Sequence, residues 1–184
     1  FSLVEMSHFA AGGGALTHKD GVDSAGMYFT TTPLISNIET TEQFYPVLYL
    51  FRRNLPDTGG PGMFRGGCAG EIAFTPHDPP NAFHETVLIG TGHEMPNSIG
   101  LWGGMPGGTG RHILVQGSGI DERLKGGETL PDSLEIMGGE QVVFPPKAPR
   151  TPFYPGEIWY SSWQGAGGYG DPLDRDPEKV RGDL

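Results

Sequence analysis

A single cysteine, Cys68, is all the thiol chemistry this 184-residue chain carries. It cannot form an internal disulfide, and such sparing use of cysteine points to a reducing, cytoplasmic setting. Positive charge is also scarce: Lys and Arg number 12 against 22 Asp and Glu, a formal net charge of −10. Arg52 and Arg53 are the one adjacent pair of cations. That is too little to displace counterions from a phosphate backbone, so a nucleic-acid partner is excluded. No apolar run approaches the roughly 20 residues of a membrane-crossing helix; the longest useful one is Val47–Phe51. Heptads, Gly-X-Y triplets and internal repeats are missing, which excludes coiled-coil, collagen-like and solenoid architectures. The phosphate-loop pattern G-x-x-x-x-G-K-[ST] does not occur either, so the chain cradles no ATP phosphates in that manner.

Glycine and proline are in excess, 31 and 17 residues, about a quarter of the chain. That share borders on disorder. Against it stand a hydrophobic content of 36% and an aromatic content of 10%. A chain of this length buries roughly two-thirds of its unfolded surface. We read residues 1–184 as one ordered domain. Strand-forming stretches recur between Gly/Pro clusters: Val47–Phe51, Glu71–Thr75, Thr86–Thr91, His112–Gln116, Glu140–Phe144 and Glu157–Trp163, each of normal strand length. Val47–Phe51 is apolar at every position, which predicts burial on both faces. In Glu157–Trp163, Trp159 and Trp163 share one side and Ile158 and Tyr160 the other. Helical periodicity is not evident, and Phe1–Leu16 is ambiguous. The expected fold is mainly β, with long Gly/Pro-rich irregular loops and little helix.

Near the end, Asp176–Pro177–Glu178 reads as a helix N-cap, a proline at the first helical position and an acid at the positive end. Lys179–Leu184 is too short to make that helix stable alone. With Phe1 in place of methionine, both ends read as cuts through a longer fold or as edges that need a partner. The glycine clusters are expected mainly as turns, with the alternative that their N–H groups line a bound group.

Most catalytic motifs fail on inspection. Gly165–Gly170 matches G-x-G-x-x-G after an expected strand, but Asp171–Pro172 follows at once and no acid lies about 20 residues on, so dinucleotide binding is rejected. His77, Asp78, His84, Glu85, His93 and Glu94 form a loose group of metal-ligand types. Both His-Glu pairs lack the second histidine of a zinc helix, leaving His84 with His93 across a hairpin as a weak pairing against a bracing role. His8, His18 and Asp20 make a weaker second group. Cys68, between glycines, is either an exposed nucleophile or, more often for a lone cysteine, a small buried hydrophobe. Ser98 lies outside the G-x-S-x-G elbow.

Three passages carry a resemblance: Tyr45–Arg53, Asp57–Gly67 and Gly165–Glu178, supported by Gly12–Gly14 with Lys19–Asp23, and by Asn97–Gly104 with Pro106–Gly107. In this order they resemble the C-terminal part of the hydantoinase B/oxoprolinase family, over about Gly12 to Leu184. That family includes N-methylhydantoinase and oxoprolinase B-type subunits and the large subunits of acetone and acetophenone carboxylases. Cys68 stands where an aliphatic residue is expected and Ala166 where glycine is expected.

The resemblance implies one part of a larger α+β subunit in an ATP-dependent hetero-oligomer. ATP and Mg would be held by an A-type partner subunit, with a divalent metal in the N-terminal portion of the B-type subunit. Such enzymes phosphorylate a carbonyl or enol oxygen, either to make it a leaving group or to trap a nucleophile for carboxylation. Met95–Leu101 leans toward an acetophenone-carboxylase-like enzyme. Hydrolysis of a hydantoin, oxoproline or lactam ring is the alternative, and a non-catalytic assembly module a third reading. No metal ligand or catalytic residue carries over from the resemblance. From the residues, His93, Asn97 and Arg111 around the Gly100–Gly110 loop, with Arg65, are the candidate site positions, because they are polar groups flanking glycine loops.

Overall fold

The computed structural model describes residues 10–26, 35–79, 83–90 and 92–183. Among these residues seven strands form two sheets. Strands β1 (Val47–Asn54), β2 (Gly70–Pro76), β4 (Arg111–Gln116), β5 (Glu140–Val143) and β7 (Ile158–Ser162) make an antiparallel sheet in the order β1-β2-β7-β4-β5. Strands β3 (His84–Ile89) and β6 (Lys147–Phe153) pair as a separate ribbon. Among the described residues the helices are three seven-residue α-helices, α1 (Ile38–Phe44), α2 (Ile120–Gly126) and α3 (Pro177–Asp183), and two 3-10 turns at Leu134–Ile136 and Pro172–Asp174. The fold is mainly β with little helix, as expected.

Strand alternation divides the sheet into two apolar faces. On one face Ala73, Ile113, Val115, Ile158 and Tyr160 pack with Ile120 of α2 and with Met137. On the other, Leu114 and Trp159 pack with Leu88, Ala148 and Phe153 of the ribbon. Trp163 touches His112, as Trp159 does, so the expected division of the aromatics along β7 holds.

Strand β1 is an edge. Val47 and Tyr49 pack with Ile72, while Leu50 and Phe51 pack toward the opposite cluster. A register shift between Tyr49 and Phe51 lets the strand serve both faces.

Three elements are invisible to periodicity. β6 contains Pro149 and Pro152, which a central strand would reject; in a two-stranded ribbon each strand has a free edge where the missing N–H costs nothing. Helices α1 and α2 are two turns each, too short to show a repeat. α1 starts where Asn37 accepts the Thr40 N–H at 3.1 Å. α3 begins as expected, with the Asp176 side chain accepting the Glu178 N–H at 2.9 Å.

Among the described residues one carboxylate lies inside. Glu71 is 2% exposed, accepts the Tyr160 hydroxyl at 2.6 Å and pairs with Arg53. Burial, and then the hydrogen bond to Glu71, push the Tyr160 phenol far above its ordinary value. A Tyr160→Phe variant keeps the ring volume but removes one donor from a buried carboxylate. It is expected to lose about 2 kcal/mol, read as a drop of roughly 4–8 °C in Tm; a shift below a degree would mean that Arg53 alone satisfies Glu71.

Gly117, Gly119, Gly127, Gly138 and Gly139 hold positive φ, as turn and cap glycines do, but four other glycine segments do something else. Segments around Gly12, Gly60–Gly67, Gly100–Gly108 and Gly165–Gly170 lie main chain against main chain. Gly60 N–H donates to Ala166 O, Ala166 N–H to Gly67 O, Gly67 N–H to Gly13 O, and Gly12 N–H to Gln164 O. On the far side Leu101 N–H donates to Gly168 O and Gly168 N–H to Met105 O. Added Cβ atoms at Gly12, Gly66, Gly165 or Gly168 would overlap a carbonyl of the neighbouring segment. None of these four has a positive φ. They are glycine because of proximity, not because of turn geometry. Ala166 fits where glycine was expected, buried at 2% exposure.

Candidate functional site

At one end of β4 and β7 the sheet carries a cluster of rings. His112, on the same face as Leu114, is buried, and its Nδ1 lies 2.7 Å from Ser161 Oγ. The His93 ring stands edge-on to it, with centroids 4.3 Å apart, and Trp163 lies 5.9 Å from each. Gly90 and Gly110 close on the His93 ring: an added Cβ at Gly110 would come within 2.9 Å of Nε2, and one at Gly90 would overlap the ring. Among the described residues neither nitrogen of His93 finds a hydrogen-bond partner. Burial therefore lowers the His93 pKa, partly countered by the Glu94 charge.

The linkage sign follows. Above the ordinary value of 6.5 both folded and unfolded chains hold this ring neutral, and the contribution to stability is complete. As pH falls below it, the unfolded chain takes up the proton first and stability is lost. The urea midpoint is expected to fall between pH 7.5 and 5.5, and to fall less in His93→Gln. Equal losses in both proteins would place the titration elsewhere.

His93, Glu94, Thr109, Arg111, Gln141 and Phe144 line a groove of about 630 Å³ beside this cluster. Of the sequence candidates, His93 and Arg111 share the groove. Arg111 is held by its main-chain N–H, which donates to Ser162 Oγ at 3.1 Å. Asn97 is adjacent: its side chain and that of Gln164 crowd Gly92, within about 3.0 Å of where a Cβ would sit.

Arg65 lies in a different setting. Its guanidinium pairs with Asp23 at 3.0 Å and Asp183 at 3.3 Å and touches Cys68 Sγ at 3.2 Å. Cys68 is buried, as a small hydrophobe would be, and its N–H donates to Asp23.

The loose ligand group from His77 to Glu94 does not converge. His84 Nε2 lies 3.1 Å from Pro46 O, a bracing bond. His77 lies 4.0 Å from the exposed Asp78, and Glu85 pairs with Arg150. Among the described residues no three His, Cys, Asp or Glu side chains could hold a metal ion. Asp20 of the second group binds Arg175, and His8 lies outside the described residues. Ser98 Oγ accepts the Gly167 N–H at 3.0 Å, a structural task.

The idea that glycine N–H groups hold an anion meets a physical obstacle. Those of Gly60, Gly66, Gly67, Gly104, Gly107, Gly108, Gly165 and Gly168 already donate to main-chain carbonyls. Sequence reading missed His112, Ser161, Trp163 and Gln164 at the ring cluster. A polar residue on the inner face of an otherwise apolar strand, as His112 is in β4, was the available signal.

The family model described as hydantoinase B/oxoprolinase matches residues 1–172. The chain belongs to that family. Among curated relatives, the acetophenone carboxylase delta subunit of Aromatoleum aromaticum is 30% identical over 99% of the chain and 28% of its own length. The acetone carboxylase alpha subunit of Xanthobacter autotrophicus is 28% identical over 95% of the chain and 24% of its own length. This member of the hydantoinase B family thus spans about a quarter of the length of these relatives. Its fold is shared with nucleotide-free acetone carboxylase, with a TM-score of 0.81 at 24% identity over 95% of the chain and 24% of that one. ATP-dependent caprolactamase from Pseudomonas jessenii has a TM-score of 0.69 at 24% identity, over 95% of the chain and 27% of its own. Among the described residues no helix is long and apolar enough to cross a membrane.

Proposed function

We propose that this chain is the glycine-layered part of a B-type subunit in an ATP-dependent ketone carboxylase, acting on an acetophenone-like aryl ketone. The observation that carries the reading is the 30% identity to an acetophenone carboxylase subunit over 99% of the chain. ATP, bound with Mg on an A-type partner subunit, would supply the phosphoryl group that activates the carbonyl or enol oxygen, and a divalent metal would belong to the rest of the B-type subunit. This chain's own contribution is positional. The glycine layer fixes the ends of β4 and β7, Phe144 gives the groove an apolar wall, and Arg111 stands at its rim to attract an anionic intermediate. His93, kept neutral by burial, braces that wall, and Asn97 holds the adjoining loop. Excluding water from such a groove protects a reactive intermediate.

The likeness in fold to a caprolactamase supports a second reading, ATP-dependent opening of a cyclic amide. ATP consumption by the complete complex separates the two. Turnover that needs both an aryl ketone and bicarbonate is expected; turnover on a hydantoin, oxoproline or lactam without bicarbonate would replace the first reading with the second. In that complex, His93→Ala and Asn97→Ala should each lower turnover by about tenfold, the scale of a lost positioning contact. Unchanged rates would remove the groove from the reaction.

A further inference from the structure

The outer edge of the glycine layer presents an apolar surface. From Met95 through Gly110 the chain has no charged residue. Its glycines face inward: an added Cβ at Gly100 would overlap the main chain at Gly104, one at Gly104 the Gly168 carbonyl, and one at Gly107 the Gly165 carbonyl. The large side chains between them are consequently turned to solvent. Ile99 is 72% exposed, Leu101 56%, Trp102 81% and Met105 52%. Leu173, 91% exposed, extends the same edge, since Gly103 lies against Asp171 and Leu101 bridges to Tyr169. Hydrogen bonds from Leu101 N–H to Gly168 O and from Met105 N–H to Pro61 O lock the segment, so these side chains cannot turn inward. Trp102 also holds a φ of +52°, a region unfavourable for any residue with a Cβ. Contiguous exposed apolar surface of this kind marks a docking face, and tryptophan and methionine are typical of such cores.

We infer that Ile99, Leu101, Trp102, Met105 and Leu173 form the face against which the remaining portion of the B-type subunit packs. Two observations choose that occupant. The matched region is 28% and 24% of the length of the carboxylase relatives, so about three-quarters of such a subunit remains to be placed. And a chain of net charge −10 that keeps residues 95–110 free of charge is built there for an apolar, permanent contact, like a core cut in half, and not for an electrostatically steered encounter. The inference rests on the family reading but not on the reaction.

Hydroxyl-radical footprinting of the complete subunit, without partner subunits, tests it. Trp102 and Met105 should oxidise at least about tenfold more slowly than in a peptide spanning residues 97–106, as expected of side chains in an interface core. Equal rates would overturn the inference. Protection that arises only on adding the A-type subunit, only at concentrations where subunits self-associate, or only with lipid vesicles would assign the face to that other occupant and overturn it as well. The Leu101→Ser, Trp102→Ser double variant of the complete subunit changes no inward position and should restore oxidation of Met105; persistent protection would count against the inference. A complex that opens lactams instead of carboxylating ketones would leave the footprint as expected, so the two readings fail separately.

Discussion

Replacing Gly165 by alanine is expected to cost at least about 3 kcal/mol, well above the usual effect of one methyl group. The added Cβ would overlap the Thr58 carbonyl and press on the Gly59 main chain. Neither can retreat. Gly165 N–H donates to Gly108 O at 3.0 Å, Gly108 N–H donates to Thr58 O at 2.7 Å, and Gly60 N–H donates to Ala166 O at 2.7 Å. Moving one segment therefore breaks bonds to two others. Gly66→Ala meets the same obstacle at the Ala166 carbonyl. For a chain of this size the loss reads as a fall in Tm of roughly 6–12 °C or more. Gly14→Ala is the matched control: nothing lies within 4 Å of its Cβ and its φ is not positive, so Tm should hold or rise slightly as the unfolded chain loses freedom. If Gly165→Ala and Gly14→Ala melt together, the glycine layer is not packed as described.

Arg175→Ala should release the end of the chain. The Arg175 side chain is 8% exposed. It grips Asp20 at 2.8 and 3.2 Å, Asp183 at 2.7 and 3.0 Å, and Met63 O at 3.3 Å. Asp20 also accepts the Arg65 N–H at 2.8 Å. The pair ties three segments together: the Lys19–Asp23 turn, the glycine layer and α3.

Truncating one partner of a largely buried ion pair strands the other charges. The partial exposure of Asp20 and Asp183, 28% and 32%, moderates the cost to about 2–4 kcal/mol. Amide exchange in residues 177–183 should lose its protection, while β2 and β7 keep theirs. Arg175→Lys cannot reproduce the two-pronged contact and should recover less than half of the loss. Retained protection in α3 would show that the helix is anchored by Lys179 over Phe64 instead.

The same cluster sets an acid limit. Burial works to raise the Asp20 pKa, but the Arg175 hydrogen bonds, the Arg65 N–H and the charges of Arg175 and Lys179 outweigh it, and the net shift is downward. At Asp23 burial again works upward, but the Cys68 N–H and Arg65 outweigh it, and the net shift is downward. A carboxylate with a depressed folded pKa stabilises fully above its unfolded value, 3.8 here, and loses that stabilisation as pH falls through the folded value. Protection of α3 should therefore be flat above about pH 5 and collapse below about pH 4.

Much of the sheet was legible because its strands announce themselves locally. Glu71–Thr75, His112–Gln116 and Glu140–Phe144 lie within a residue of β2, β4 and β5, and the two-sided pattern of β7 follows from Trp159 and Tyr160 pointing opposite ways. β6 was not legible, since Pro149 and Pro152 read as breakers until the strand is known to pair with β3 alone. The candidate site was legible only in pieces. Polar residues beside glycines led to His93, Asn97 and Arg111, which meet near one groove. The same reasoning chose Arg65, whose neighbours Asp20, Asp23 and Asp183 come from distant parts of the chain and make it a structural anchor.

The large share of glycine shows where that boundary lies. Composition, charge, the single cysteine and the strand-length apolar runs determine, without any coordinates, an acidic mainly β chain with no phosphate loop. The order of the glycine segments carries the family resemblance. What each glycine is for was decided by the tertiary structure. A glycine forced by a left-handed turn and one forced by a carbonyl pressing from another segment are the same letter, and local sequence offers no way to tell them apart. Thr58 and Gly165 are far apart in sequence, and their contact exists only once four segments have stacked. Stacking also turns Ile99, Leu101, Trp102 and Met105 outward, because the inward places at Gly100 and Gly104 have room for hydrogen atoms alone.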